Sequence, residues 1–549
     1  MVLSKYFLFA TLLMALVQGD DNNPTGFLSI DCGSLDSSYV DETTGFTYHS
    51  DEGFTETGEN REIVNAYKVQ LQTNERQFRN VRSFPEGIRN CYTLKPTLGD
   101  QGTRYMIRAR FMYGNYDNEN LAPTFDLYLG VDFWDTVLTQ HAWNRVNKEI
   151  IFFPKSDDHL YVCLVNTGHG FPFISALELR PWVDGNQTYV SKSGSLGLFQ
   201  RSDLNPAIDQ VMRYKEDVYD RLWSPLTGDN RFVPINTTKG NNITKNIYQL
   251  PSPIMRTAYE PNITIHDDNL GILIDPSNSS APLLYYFYFH FAEIQELRKN
   301  ESREFTISIN GNLTHGPLVP IYLVTNTVIS TSGGTNSDGK IHVWLNRTQN
   351  STKPPLLNAL EVYWLTEFTQ QETNQADVNA IQNIKSAYQV TKNWQGDPCA
   401  PKAFLWDGLG CSYGGNSSPR IISLNLSSSG LNGVISPYFS DLTMLQALDL
   451  SNNSLSGTVP EFLANLSSLR ILNLKKNKLE GPLPSALLER SNDGLSLSVD
   501  ANVMGNLTPP PTTNQTSSSA EDWCRKNKFV VSLVASVEAF LLQFVLSTS

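Results

Sequence analysis

The sequence predicts a mainly β protein: two antiparallel sandwiches in tandem, followed by a short parallel solenoid. Three observations carry this. Leucine pairs recur every 24 residues, at Leu424-x-Leu426, Leu448-x-Leu450 and Leu472-x-Leu474. Just before them, Asn393-Trp394-Gln395-Gly396-Asp397-Pro398-Cys399 is followed by Trp406 and Cys411, the ingredients of a cysteine-closed cap. Upstream, two blocks of short apolar segments end alike, in Ile174-Ser-Ala-Leu-Glu-Leu179 and Leu357-Asn-Ala-Leu-Glu-Val362.

Each block reads as a sandwich because its segments alternate and are divided by Gly, Asn, Asp and Pro. In the first (26–183), Tyr105 to Tyr113 alternates as a half-buried strand should, and Phe125–Leu129 and His159–Val165 behave alike. In the second (184–367), Leu283 to Ile294 is a long aromatic strand, and Phe305–Ile309 leads into the favoured turn Asn310-Gly311. A helix follows within 368–420, with Asp377 as its expected cap and Val378, Ile381, Ile384 and Tyr388 near one face. It joins the sandwiches to a leucine-rich-repeat solenoid expected over 421–490. There Asn453 and Asn477 take the position after the strand, where an amide can satisfy neighbouring backbone groups. Three repeats are about the minimum for stability, so the solenoid is expected to need its cap. Cys399 and Cys411 are close enough to bridge, which should contribute about 3 kcal/mol. The pairing of Cys32, Cys91, Cys163 and Cys524 stays open.

The compartment follows from the ends and the surface. Lys5 and the apolar run Tyr6 to Val17 read as a signal peptide over 1–19. About fifteen Asn-x-Ser/Thr sequons are present, among them Asn186, Asn236, Asn242, Asn262, Asn278, Asn312, Asn346 and Asn465. That density predicts a glycosylated extracellular surface. Residues 491–528 are rich in Pro, Ser and Thr and read as a stalk. An apolar tail, 529–546, predicts attachment to the plasma membrane. The net charge of −13 argues against nucleic acid as a partner.

Chemistry is harder to find than structure. No Gly-x-Ser-x-Gly, His-Glu-x-x-His or Cys-x-x-Cys occurs within these 549 residues. Gly334 to Lys340 nearly spells a phosphate loop, but Ile341 stands where a magnesium-binding hydroxyl belongs, and a hairpin turn explains it better. Asp132, Asp135, Asp267 and Asp268 are read as surface carboxylates, not as a glycosidase pair. The eight histidines lack metal spacing. No metal, no cofactor and no enzyme activity are therefore expected. Two sets of side chains are candidate ligand contacts. Tyr113, Tyr116, Phe133 and Trp134 stand near strand ends, where aromatic faces suit sugar rings. Asp449, Asn473 and Lys475 fall on the expected concave strand face of the solenoid, among Ser423, Asn425, Ala447 and Ile471. Sequons at Asn425 and Asn452 would place glycans beside that face.

Several longer segments are distinctive in combination: Phe27-Leu-Ser-Ile-Asp-Cys-Gly33, Phe84-Pro-Glu-Gly-Ile-Arg-Asn-Cys-Tyr92, Tyr113-Gly-Asn-Tyr-Asp117, Arg213 to Trp223, Tyr286 to Glu293 and Gly396-Asp-Pro-Cys399. With them the chain resembles the ectodomain of plant malectin-like leucine-rich-repeat receptor-like kinases. The resemblance implies tandem malectin-like β-sandwiches, a short repeat region, one membrane span and an intracellular kinase. It implies a cell-surface receptor for an extracellular peptide, protein or cell-wall carbohydrate, working with a membrane receptor kinase or co-receptor. No Gly-rich loop with a Val-Ala-x-Lys strand, His-Arg-Asp or Asp-Phe-Gly occurs in the residues given. The expected function is thus a receptor-like protein that signals through a partner kinase. The alternatives are a lectin-like wall-glycan module or a kinase-less decoy.

The tail offers two anchoring modes. It has the length of a short span, yet Glu538 and Gln543 lie inside it. Ser518, Ser519 and Ala520, a polar spacer and a terminal apolar run also fit a lipid-anchor signal. The family pattern favours the span. Phospholipase treatment of intact cells should then leave the protein in the membrane until detergent is added, whereas release into the medium would establish the lipid anchor.

Overall fold

A computed structural model describes residues 23–503, apart from 72, 97–102, 156–158, 183–187, 190–193, 207–208, 228–229, 240–242, 265–267, 277–283 and 416. The signal peptide, Asn186, Asn242, Asn278, Cys524 and the apolar tail lie outside the described residues.

The two blocks share one strand plan. The first runs Arg104–Phe111, Thr124–Leu129, Asp132–Leu138, Val146–Phe152, Leu160–His169 and Ala176–Trp182. The second runs Tyr285–Phe291, Phe305–Ile309, Asn312–Leu318, Asn326–Ser332, Ile341–Arg347 and Ala359–Thr366. In both, the first strand pairs with the fourth and the sixth. In both, the second pairs with the third and the fifth. The matching segment ends noticed in the sequence have matching jobs. Ser175 Oγ accepts from the Met112 amide at 3.1 Å, and Asn358 Oδ1 accepts from the Ala292 amide at 2.8 Å. Glu178 and Glu361, three residues on, are both fully buried.

The sandwiches are fused rather than strung together. Val146–Phe152 of the first pairs with Ser195–Leu204, which pairs with Ala359–Thr366 of the second. One sheet therefore runs through both units. This alters the expectation for Tyr105 to Tyr113. Its apolar side chains Tyr105, Ile107, Ala109 and Phe111 face the first core, as alternation predicts. Its other face is buried too, because Arg108 there points into the joint between the units.

That joint is built of charge. Arg201 lies 2.6 Å from Glu149 and 2.8 Å from Glu361, so one guanidinium links the two sandwiches. Arg108 lies 2.8 Å from Glu149 and 2.6 Å from Glu178. The segment Arg213 to Trp223 closes the network: Asp220 meets Arg180 at 2.9 Å and Arg213 at 2.7 Å, and Asp217 meets Arg221 at 2.8 Å. Side-chain exposure is 1% or less throughout, except for Arg213 at 11%, so water cannot substitute for a lost partner. Burial alone would raise the Glu178, Asp220 and Glu361 pKa values. The surrounding arginines reverse that and hold all three well below the usual carboxylate range.

The solenoid is docked on the first sandwich through the cap. Helix Gln375–Tyr388 is capped by Asn374, whose side chain accepts from the Ala376 amide. Asp377, the expected cap, is instead buried and binds Arg420 with both oxygens at 2.9 Å and the Ile421 amide at 2.8 Å. It ties the helix to the first repeat strand. Cys399 and Cys411 are bonded, and Trp394 and Trp406 stack at 5.1 Å beside them. Each residue of the Gly396-Asp397-Pro398-Cys399 segment that meets the sandwich has a specific task. Asp397 accepts from the Thr373, Cys399 and Ala400 amides at 2.7–2.9 Å. Arg89 of the sandwich donates to the Asp397 carbonyl at 2.7 Å and the Ala400 carbonyl at 3.0 Å. Gly396, at φ +66°, sits on a second disulfide, Cys91–Cys163: a Cβ there would lie 2.9 Å from Cys91 Sγ. Cys32 is left as a free, buried thiol among the described residues.

The repeat strands Arg420–Asn425, Ala447–Asp449 and Ile471–Asn473 pair in parallel with a 24-residue step. Asn453 and Asn477 donate to the Leu450 and Leu474 carbonyls, as the ladder requires. A fourth strand, Ser496–Ser498, continues the sheet. The stalk assigned from 491 therefore begins too early: Leu495, Val499 and Val503 are buried in the solenoid core. The step to this strand is 25 residues, because the α-helix Ser485–Asn492 replaces the short 3-10 turn of earlier repeats. The extra residue breaks the pattern that marks the other three.

Two expectations follow. Gly396→Ala should destabilise by about 1–3 kcal/mol, from the left-handed backbone and the collision with the disulfide; a denaturation midpoint equal to wild type would refute this packing. The second concerns pH. Stability from Glu178, Asp220 and Glu361 is present above their unfolded values and lost as pH falls below about 4. Burial acts oppositely on three other carboxyls, raising Asp31 to about 8 and Asp203 and Glu372 to about 7. Their contribution is full below about pH 4 and is lost as pH rises from there to 7 or 8. Thermal melts across pH should show a maximum at about pH 4; a maximum at pH 8 or above would contradict the assignment.

Candidate functional site

The strand face of the solenoid is the most ordered candidate. Asn425, Asp449, Asn473 and Ser498 lie in register across four parallel strands. Parallel pairing puts equal positions side by side, so a 24-residue repeat becomes a row of polar groups. The first three each use Oδ1 on their own chain, accepting from the amides of Ser427, Ser451 and Lys475 at 2.9–3.3 Å. Asn473 Nδ2 also donates to Asp449 Oδ2 at 3.1 Å. These bonds hold the carboxylate and the amide in fixed positions without consuming every lone pair. Lys475 follows, exposed, and Ile471 beside the row is 50% exposed. The predicted trio Asp449, Asn473 and Lys475 is thus brought together: an anion, an amide and a cation next to an apolar side chain. Ser496 and Ser498 extend the face and were missed with the fourth strand. Their signal was Leu495-x-Leu497-x-Val499, one residue out of step.

The aromatic candidates of the first sandwich fare differently. Tyr113, Tyr116 and Trp134 are only 1%, 8% and 2% exposed, and they form core rather than a sugar platform. Tyr113 and Tyr116 meet edge-on at 5.5 Å, and both pack on Phe173. Their hydroxyls are also engaged: Tyr113 donates to Asn115, and Ser83 donates to Tyr116, both at 3.1 Å. Aromatics at strand ends close the open end of a sandwich, and that demand outweighs ligand display here. Phe133 is half-buried against Tyr128 at 5.8 Å. Three of the four aspartates are accounted for: Asp132 and Asp135, expected at the surface, are buried on the strand Asp132–Leu138 and pair with Lys155 and Lys148, and Asp268 pairs with Arg347, at 2.7–2.8 Å; Asp267 lies outside the described residues. Among the described residues no cluster of His, Cys, Asp and Glu could hold a metal.

A second recess was not legible in sequence. A cleft of about 460 Å3 in the second sandwich is lined by Asn205, Asn236, Thr237, Thr238, Arg256 and Thr257. Arg256 is its one charged lining residue. Asp203 nearby is buried, which raises its pKa to about 7 against the pull of Arg256. The lining suits a small polar or acidic group, although Asn236, on its lip, is itself a sequon. None of the described asparagines in the predicted sequons is buried, and Asn262 and Asn346 are half-buried. Among the described residues no helix is long and apolar enough to cross a membrane.

The comparisons agree with this architecture. The malectin-like domain family matches residues 30–365, and the leucine-rich repeat family matches residues 419–479. A probable leucine-rich-repeat receptor-like serine/threonine-protein kinase of Arabidopsis thaliana is 48% identical over 547 residues, covering 98% of this chain and 60% of the relative. A putative leucine-rich repeat receptor-like protein kinase of the same plant is 46% identical over 543 residues, covering 97% of this chain and 59% of the relative. The chain thus spans about 60% of the length of these curated relatives. The crystal structures of the ANX2 ectodomain and the ANXUR2 extracellular domain, both from Arabidopsis thaliana, share the fold. They align with TM-scores of 0.50 and 0.51 at 18% and 17% identity, covering 62% of this chain and 97% of each structure. With its domain pair, its repeats and these relatives, the chain belongs to the malectin-like leucine-rich-repeat receptor-like kinase family.

Proposed function

We propose that these residues form the recognition region of a cell-surface receptor, facing the extracellular space, and that the solenoid strand face is where a partner protein docks. The observation that carries this is the Asp449–Asn473 pair with Lys475 and Ile471, held in register on a solenoid that the cap fastens to the sandwiches. A solenoid uses such strand faces for binding because its repeats present one side chain per rung on a stiff support. The partner is an extracellular peptide or the ectodomain of a co-receptor, offering a cation to Asp449, an anion to Lys475 and an apolar group to Ile471. Recognition then passes across the membrane through a receptor kinase. The receptor-like kinase relatives support this reading, and the burial of three of the four first-sandwich aromatics weighs against a glycan site there.

The test is capture of receptor kinases from plant plasma membranes by the immobilised secreted chain. Asp449→Lys combined with Lys475→Glu should reduce capture of the specific partner by about tenfold or more, equivalent to about 1.4 kcal/mol, with an unchanged melting temperature. Capture that is equally strong in the double variant would move the docking site elsewhere. Retention by cell-wall polysaccharide alone, with no protein captured, would favour the lectin reading instead.

A further inference from the structure

The two sandwiches share a strand plan, yet their outer sheets are covered differently. In the first, the fifth strand carries Cys163 opposite Cys91, and the cap lies over that disulfide. Tyr128, the other neighbour of Cys163, meets Phe404 of the cap edge-on at 5.5 Å. In the second sandwich the fifth strand carries Trp344 between Gly271 and Ser308. The indole ring lies directly over Gly271: a Cβ added there would stand 2.6 Å from Trp344 Cζ3. Trp344 is nevertheless 42% exposed, and Leu273 and Leu313 on the same sheet are 45% and 68% exposed. Among the described residues an apolar band thus crosses the outer sheet without protein cover, a feature that ordinarily marks a contact surface.

The residue best placed to cover it is two positions along the same strand. Asn346 opens the sequon Asn346-Arg347-Thr348. Residues i and i+2 of a strand face the same side, about 7 Å apart. The Asn346 side-chain amide donates to Ser308 Oγ at 3.0 Å, and Ser308 is the direct cross-strand neighbour of Trp344. This bond turns the nitrogen that would carry a glycan toward the indole. An amide nitrogen has two N–H bonds. Glycosylation replaces one, and the other can keep Ser308. N-acetylglucosamine presents one face of C–H bonds, which matches a flat indole, and a polar rim that stays in water.

We infer that Asn346 is glycosylated and that its first sugar lies on the Trp344 ring, covering the outer sheet of the second sandwich as the repeat cap covers that of the first. The bond formed joins Asn346 Nδ2 to C1 of N-acetylglucosamine. The bond broken is that of C1 to the diphosphate of a lipid-linked oligosaccharide, and the amide proton leaves with the diphosphate. This rests on the reading that the chain passes through the secretory pathway.

Hydroxyl-radical footprinting read by peptide mass spectrometry tests it on the full secreted chain. Its glycans are first trimmed enzymatically to a single sugar, and Asn346→Gln serves as the unglycosylated comparison. Trp344 should be oxidised severalfold more slowly when Asn346 carries the sugar, while Trp143, itself 48% exposed, is oxidised equally in both. Equal oxidation of Trp344 would overturn the inference. So would an unmodified Asn346 in protein whose Asn312 and Asn465 are occupied. A chain with no sequon occupied would overturn the secretory reading first, and this inference with it.

Discussion

The arrangement of this molecule depends on the buried arginine–carboxylate network where the two sandwiches meet. Five carboxylates, Glu149, Glu178, Asp217, Asp220 and Glu361, face Arg108, Arg180, Arg201, Arg213 and Arg221. Such a cluster is weak evidence for net stability, since desolvating ten charged groups is costly. Its consequence is specificity. Removing one member leaves a buried charge without a partner, a loss of about 3–5 kcal/mol. An apolar joint could slide or rotate with little penalty, whereas this one has a single register in which every charge is answered. The network also explains why Arg213 to Trp223 is so distinctive: Asp217, Asp220 and Arg221 are all committed there, and Trp223 donates to Asp217 at 2.8 Å.

A rigid joint gives the solenoid a fixed place to stand. The cap joins the repeats to the first sandwich, where Gly396 meets the Cys91–Cys163 disulfide and Arg89 collects cap carbonyls. Four parallel rungs are short for an independent solenoid. The helix Gln375–Tyr388 and the Cys399–Cys411 hairpin close its first end, which would otherwise expose Ile421 and Leu424. The orientation of the strand face bearing Asp449 and Lys475 is therefore set by a chain of contacts reaching back to the charge network. The proposed docking face gains a defined angle from such stiffness.

The duplication also shows how one strand plan serves two ends. Among the described residues, equivalent outer sheets are covered by the cap in one unit and left open in the other. The difference lies in a few side chains: a disulfide and Tyr128 on the first, Trp344 over Gly271 on the second.

Wherever the pattern was local and periodic, sequence alone determined the outcome. The 24-residue leucine register placed three strands and the asparagine ladder, and the spacing of Cys399 and Cys411 placed a bridge. The shared Ala-Leu-Glu segments disclosed the duplication, because equivalent strands must bury equivalent side chains. The row through Asn425, Asp449 and Asn473 was also legible, since parallel repeats convert equal sequence positions into neighbours. Tertiary structure decided what depends on distant partners. The alternation of Tyr105 to Tyr113 could not reveal that its arginine face meets carboxylates more than forty residues away. Strand-end tyrosines look the same in sequence whether they seal a core or greet a sugar, and only the position of Phe173 settles that Tyr113 and Tyr116 seal one. Asp377 was expected to cap its own helix and instead binds Arg420, because a buried carboxylate goes to the strongest donor in reach, not to the nearest in sequence.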